Sequence, residues 1–282
     1  MQRLARAHSV CAHRGVLVET LAVVAECRKN DIAQVQEVSA IRKDIHNSDI
    51  PIVCRSCEAR HQGVCGALSP EQLSRLSKHT SKTAHKPNSN LASEARESGR
   101  YANILSGVVK LSKMSSDGRQ QIVGLQFAPD FMGRPFAEDN DIEAIASTNV
   151  RLCSFPVSVL NELLDENPAM ERRIYKQTIA ELDDARNWLF ALGRKSAREK
   201  VASFLLLIAT HSDPEREARE TFEIELPLKR ADIADFLGLT IETVSRQITN
   251  LRKAGFVEVI DRNRVNILDL SALRNAACEA ND

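Results

Sequence analysis

The sequence of 282 residues predicts an α+β chain: an N-terminal β-roll joined by one long helix to a C-terminal winged helix-turn-helix. Three observations predict it. Between 101 and 155, short runs rich in β-branched residues alternate with turn signals about every ten residues, the pattern of a small antiparallel roll or barrel. From 167 to 194 an apolar stripe repeats at helical spacing. Beyond it, two short helical patterns meet at a glycine and are followed by a hairpin pattern.

Composition supports packed cores and excludes several classes. Hydrophobic residues make up 43% of the chain, but aromatics only 4%. The cores must therefore rest on Leu, Ile, Val and Ala. Lys plus Arg equals Asp plus Glu at 38 each, so any binding to a polyanion must come from a local motif. The longest nearly apolar stretch, Val201 to Ala209, is about half of what spans a bilayer. The stretch from Val16 to Ala25 is interrupted by Glu19 and Thr20 with no small-residue cleavage pattern after it, so a secretory signal is not expected. Seven cysteines, an odd number at uneven spacing, read as thiols or metal ligands in a reducing cytoplasm rather than a disulfide framework. No membrane association is expected.

The elements follow in order. Residues 1–50, with seven basic and six acidic side chains plus Cys11 and Cys27, form an extension without an assignable role. Residues 51–66 are a cysteine-rich loop. The roll spans 67–166. It opens with a helix capped by Ser69 with Pro70 at its first position and Leu73 and Leu76 inward. Residues Lys82 to Gly99 read as loop or irregular edge. Ile104 to Met114 reads as one strand, turning at Ser116-Asp117-Gly118 into a return strand, Gln121 to Phe127. Ile142 to Ser154 reads as another, closed by Pro156.

A long helix, 167–195, starts at Asn167-Pro168. Its Ile174, Thr178, Leu182, Ala185, Leu189 and Leu192 recur in steps of three and four, the narrow seam of a two-helix pair and hence of a homodimer. A core-facing helix of one subunit is the alternative. Asp183 and Asp184 lie midway, where like charges meeting across a two-fold axis would oppose pairing.

The last domain, 196–275, carries the most informative run. A helix with Val201, Phe204, Leu205 and Ile208 inward precedes a short strand at Glu223 to Leu226. Next, Ile233, Ala234 and Leu237 face a core, and Gly238 can take the positive φ of a tight turn. Thr240 then caps a second helix, in which Ile241, Val244, Ile248 and Leu251 face inward. Glu242, Ser245 and Arg246 share the outward face of its first turns, with Thr240 and Thr243 beside them. A recognition helix meets base edges in the major groove at that place. Arginine can bond guanine bidentately, glutamate can accept from a cytosine amine, and serine can reach either partner. Phe256 to Leu268 reads as a wing. Lys229, Arg230, Arg252 and Arg262 are the phosphate-contact candidates. The alternative is a solvated helix face with a chance Glu/Arg pair.

Cys54-Arg-Ser-Cys57, seven residues, then Cys65 gives three thiols within twelve residues. A Cys-x2-Cys pair serves zinc, redox and cluster sites alike. A fourth ligand is needed: besides Cys11 and Cys27 in the N-terminal arm, Cys153 and Cys278 lie downstream, and Cys153 stands 88 residues beyond Cys65, at a strand end before Ser154-Phe155-Pro156. A lone strand cysteine is also an ordinary small buried group. His61 is a possible substitute ligand or a solvated side chain. No Gly-rich phosphate loop, Ser/His/Asp spacing or paired catalytic carboxylates argue for an enzyme.

The order of roll, long helix and winged helix, with Gly238-Leu-Thr-Ile-Glu-Thr-Val-Ser-Arg246, resembles the cyclic-AMP receptor/fumarate-nitrate regulator (Crp/Fnr) family over about residues 50 to 275. The resemblance implies a cyclic-nucleotide-binding-like roll, double-stranded DNA and RNA polymerase as partners, and a dimeric transcription regulator. Glu-x-x-Ser-Arg resembles the Fnr and FixK branch, whose half-sites resemble TTGAT; the cyclic-AMP branch has arginine where Ile241 stands. Fnr-type sensors hold a [4Fe-4S] cluster with three clustered cysteines and one before a similar proline. This matches Cys54, Cys57, Cys65 and Cys153, with a last gap similar to the FnrN group. The implied protein is an oxygen-responsive activator of anaerobic or microaerobic genes that releases DNA when oxygen degrades the cluster. Zinc is the alternative metal, and a FixK-like regulator without a cluster the alternative function. Cyclic nucleotide is not expected: the turn Gly133-Arg134-Pro135-Phe136 lacks the family's glutamate, and Glu143-Ala144-Ile145-Ala146 lacks its Arg-Ser pair.

Overall fold

The structure, a computed structural model, describes residues 50–55, 57–133, 142–212 and 221–278, all within one unit of 49–282. The extension with Cys11 and Cys27, and residues 134–136 of the turn weighed for nucleotide binding, lie outside the described residues.

The cysteine segment forms two single-turn helices, α1 (Ile52–Arg55) and α2 (Glu58–His61), and a 3₁₀ turn at Val64–Ala67. Helix α3 (Pro70–Ser77) begins as expected. Ser69 accepts from the Gln72 amide and the Gln72 side chain accepts from the Ser69 amide, a reciprocal cap that satisfies two otherwise unpaired donors. Then follow β1 (Ser81–His85), α4 (Leu91–Ser98), β2 (Arg100–Ser106), β3 (Val108–Met114), β4 (Gln120–Phe127) and β5 (Phe131–Met132). The roll closes with β6 (Glu143–Ala146), β7 (Val150–Pro156) and α5 (Val157–Glu166). Its strands make two sheets, β1-β7-β2-β5 and β4-β3-β6, with every pairing antiparallel.

Three expectations are corrected here. Lys82 to Gly99 is not loop throughout but holds β1 and α4. Ile104 to Met114 is not one strand. The chain breaks at Gly107, where φ is 90° and a Cβ would stand 2.3 Å from the Asn149 carbonyl oxygen, and β2 and β3 enter different sheets. Ile142 to Ser154 likewise splits into β6 and β7, which pair with β3 and β2 respectively. Both runs are rich enough in β-branched residues to hide a corner, and a roll needs corners to pass from sheet to sheet.

Helix α6 (Pro168–Arg194) is the long helix, capped by the Asn167 side chain, which accepts from Ala169 and Met170. Its apolar faces differ from the expected stripe. Ile174 is buried in the roll's core with Met170, Leu160 and Phe155, and Leu192 turns toward Gly238. The outward face is carried by Tyr175, Ile179, Leu182, Leu189 and Phe190, each about half exposed or more. Spacing alone does not separate a face turned to the roll from a face turned away, because both recur at three and four.

The C-terminal domain comprises α7 (Ala197–Ser212), β8 (Phe222–Glu225), α8 (Arg230–Leu237), α9 (Ile241–Lys253), β9 (Val257–Val259), β10 (Arg264–Ile267) and α10 (Leu270–Cys278). Val201, Phe204, Leu205 and Ile208 are buried as expected, around Phe236, whose ring lies 4.5 Å from Trp188 of α6 and 6.1 Å from Phe204. The roll completes this core. Ile122 of β4 is buried within it, Lys110 of β3 pairs with Asp232 at 2.6 Å, and Gln121 donates to the carbonyls of Asp235 and Phe236. Among the described residues no helix is long and apolar enough to cross a membrane.

Candidate functional site

Helices α8 and α9 meet at Gly238, which takes φ 60° and ψ 43° and donates its amide to the Ala234 carbonyl. An L side chain rarely adopts that conformation, so the residue type and the sharp turn are one fact. Thr240 then accepts from the Thr243 amide at 3.2 Å, fixing the first turn of α9. Val244, Ile248 and Leu251 are buried beneath it. Ile241 is not: it is 47% exposed, because the first turn of α9 projects beyond the core.

That projection leaves Glu242, Ser245 and Arg246 exposed together on α9. Arg246 leans back on Thr243, with Nη2 3.4 Å from Oγ1, and Thr243 is tied to Thr240 at 3.1 Å. The two threonines therefore support the arginine rather than extending the outward row. Glu242 lies below the usual carboxylate range, held there first by its backbone amide and then by Thr240, so it is a charged acceptor at the start of the helix. Lys229, Arg252 and Arg262 are exposed, Lys229 just before α8, Arg252 in the last turn of α9 and Arg262 at the turn between β9 and β10. Arg230 is half-buried, with Nη1 enclosed and without a hydrogen-bond partner among the described residues, and burial lowers its pKa. It is less able than the other three to reach a phosphate. In the wing, Asp261 accepts from the amides of Asn263 and Arg264 and from Arg264 Nε, which sets the turn.

The second site is built on the sheet holding β1, β7 and β2. Cys153 is central on β7, paired in register with Lys82 on β1 and Asn103 on β2. Directly opposed residues of antiparallel strands share a face, so the three side chains form one row across the sheet. The cysteine segment is seated on that row. Lys82 Nζ donates to the Val53 carbonyl at 3.1 Å, next to Cys54, and Asn103 Nδ2 donates to Cys65 Sγ at 3.3 Å.

The four thiols predicted as ligands are thus neighbours, and none of them is in a disulfide. Burial pushes Cys65 up to about 12, with the charges of Cys153, Cys57 and Cys54 adding to it and the Asn103 hydrogen bond opposing. Burial also pushes Cys153 up to about 11, reinforced by Cys57 and Cys54 and opposed by Lys82 and by a hydrogen bond with Thr80. Cys54 is raised by burial and by Cys57, with Lys82 and Arg60 opposing. Among the described residues, however, no group of three or more His, Cys, Asp or Glu side chains could hold a metal ion as it stands. His61 is exposed, with Nε2 3.4 Å from the Arg55 carbonyl oxygen.

The segment also touches the long helix. Arg173 of α6 donates to the Gly63 carbonyl at 2.7 Å, and Val64, Cys65 and Leu68 are buried in one core with Met170 and Ile174. Asn103, Lys82, Thr80 and Arg173 were missed in the sequence. Each acts through a strand register or a contact spanning tens of residues, for which no local pattern exists.

Comparison with known proteins adds the following. A family described as a Crp-like helix-turn-helix domain matches residues 199–276. A probable transcriptional activator of Rhizobium leguminosarum bv. viciae is 47% identical over 82% of this chain and 96% of its own length. The transcriptional activator protein FnrL of Cereibacter sphaeroides is 33% identical over 81% of this chain and 93% of its own. Among solved structures, FixK2 from Bradyrhizobium japonicum superposes with a TM-score of 0.61 at 25% identity, covering 72% of this chain and 99% of that one.

Proposed function

The chain belongs to the Crp/Fnr family of transcription regulators, and on that premise we propose that it is its oxygen-responsive, Fnr-type form. It binds palindromic TTGAT-like sites as a dimer and activates anaerobic and microaerobic genes through RNA polymerase. Like its relatives it is a DNA-binding transcriptional activator and not an enzyme.

One observation carries the oxygen-sensing part: the row of Lys82, Cys153 and Asn103 on which the segment bearing Cys54, Cys57 and Cys65 is seated. The donor set fits a [4Fe-4S] centre. Four thiols from two remote parts of the chain converge, and soft thiolate donors select such clusters. A thiol that senses oxidation directly has a depressed pKa and an open setting, whereas Cys65 and Cys153 are raised to about 12 and about 11. An inorganic core held by Cys54, Cys57, Cys65 and Cys153 would supply the positive charge that their buried thiolates lack.

When bound, such a centre supplies an oxygen-labile link between the cysteine segment and the strand. The chain's own residues do the rest. Cys153 fixes one end on β7; Gly63 and Val64, just before Cys65, hold α6 through Arg173 and through the shared core. The seating of the segment is therefore felt where the roll meets the long helix. The half-exposed row of Tyr175, Ile179, Leu182 and Leu189 gives that helix a face to pair with its copy. A pair would hold two recognition helices about one turn of duplex apart, which matches a palindrome.

The test is fluorescence anisotropy on a TTGAT-type palindrome, with protein prepared without air and the same protein after exposure. Binding that is lost on exposure, and lost in Cys153→Ala even without air, supports the proposal. Equal binding in both states contradicts oxygen sensing and favours a FixK-like regulator without a cluster.

A further inference from the structure

We infer that Asn103 and Lys82 are positioning residues of the thiol site, tethering its two ends to the sheet on either side of Cys153. This rests on the reading of the four cysteines as ligands and deepens it.

Asn103 stands out energetically. It is 1% exposed and lies on β2 between Ala102 and Ile104, both buried apolar residues. Its amide nitrogen donates to Cys65 Sγ, yet its Oδ1 is buried and finds no hydrogen-bond partner among the described residues. A buried polar group left half-satisfied lowers stability, and an apolar side chain of similar shape would pack there at less cost. What the amide provides and a leucine could not is a donor to sulfur. Hydrogen bonds to ligand sulfurs are among the means by which a protein sets the potential of a cluster, and a donor to an anionic sulfur gains strength from the charge.

Lys82 does the corresponding work at the other end. It opposes Cys153 in register on the outer strand and donates to the carbonyl of Val53, the residue before Cys54. One row thus contains a cationic tether, a candidate ligand and an amide tether, in that order. The inward neighbours on the same strands, Thr83, Leu152 and Ala102, line a cavity of about 430 Å³ on the opposite face of the sheet, so the two faces have separate contents.

The experiment compares full-length wild type, Asn103→Leu, Lys82→Met and Lys82→Arg, each loaded anaerobically with iron and sulfide. Bound iron and the rate at which visible absorbance bleaches in air are read, together with the thermal midpoint of the iron-free chain. Asn103→Leu is expected to leave the iron-free midpoint unchanged or raised while bleaching on the order of fivefold faster, as losing one charge-assisted hydrogen bond implies. Lys82→Met, at an exposed position, is expected to bleach faster with an unchanged midpoint, and Lys82→Arg to restore the wild-type rate. Wild-type bleaching in both Asn103→Leu and Lys82→Met overturns the inference alone. So does a fall in the iron-free midpoint that parallels the loss of iron, because the two residues would then be merely structural. Wild type that takes up no iron overturns the inference together with the reading beneath it.

Discussion

Replacing Asp130 by asparagine should stabilise the protein at neutral pH and leave it unchanged in acid. Asp130 lies in the turn between β4 and β5, where Oδ2 accepts from the Phe127 amide at 2.9 Å. Burial pushes its carboxyl from 3.8 up to about 6; the Phe127 hydrogen bond opposes this, and Glu181 and Asp184 of α6 add to it. Below about pH 3 the carboxyl is protonated in the folded and unfolded chains alike, so the folded state bears no penalty. As pH rises through about 6 the unfolded chain has ionised freely while the folded chain is forced to, and stability is lost. The rise corresponds to about 3 kcal/mol, at about 1.4 kcal/mol per tenfold change. An asparagine keeps the acceptor for Phe127 and never ionises. Urea denaturation of wild type and Asp130→Asn should therefore give equal stabilities near pH 3, diverging to about 3 kcal/mol in favour of the variant above about pH 7. A gain of the same size at both ends, or no gain at neutral pH, would refute the reasoning.

Further outcomes follow from the same contacts. Leu182→Glu adds charge to an exposed face of α6 beside Asp183, so the monomer should keep its thermal midpoint while sedimentation shows loss of the proposed dimer. Its affinity for the palindrome should fall on the order of a hundredfold as the second half-site is no longer held in tandem. Thr240→Ala removes the cap of α9 and should lower stability by about 1 kcal/mol, seen by thermal denaturation, and weaken DNA binding because Arg246 loses the Thr243 support that Thr240 holds. Lys110→Met strips the cation from Asp232, whose side chain is 21% exposed, and should lower stability by about 1–3 kcal/mol in chemical denaturation.

What could be read from the sequence divides along a physical line. The cap at Ser69, the turn at Gly238, the cap at Thr240 and the outward trio Glu242, Ser245 and Arg246 all depend on neighbours within four residues, and they stand as read. The breaks at Gly107 and at Ser147 to Asn149 were missed because a continuous β-branched run does not reveal which sheet each half joins. The inward and outward faces of α6 were mixed, since Ile174 and Tyr175 are adjacent and only packing against Phe155 and Leu160 separates them. Spacing singles out Cys54, Cys57 and Cys65, and the family resemblance adds Cys153. Their seat was not legible, because Lys82, Asn103 and Cys153 meet only through the pairing of three strands.

On the proposed function, Cys54, Cys57, Cys65 and Cys153 together hold one iron–sulfur centre. Iron and acid-labile sulfide, determined per chain on full-length protein purified without air, test it most directly. Roughly four of each per chain, falling to nearly none in Cys153→Ala of unchanged fold, is the predicted result. A wild-type chain with neither iron nor sulfide, or with one zinc in their place, would contradict it.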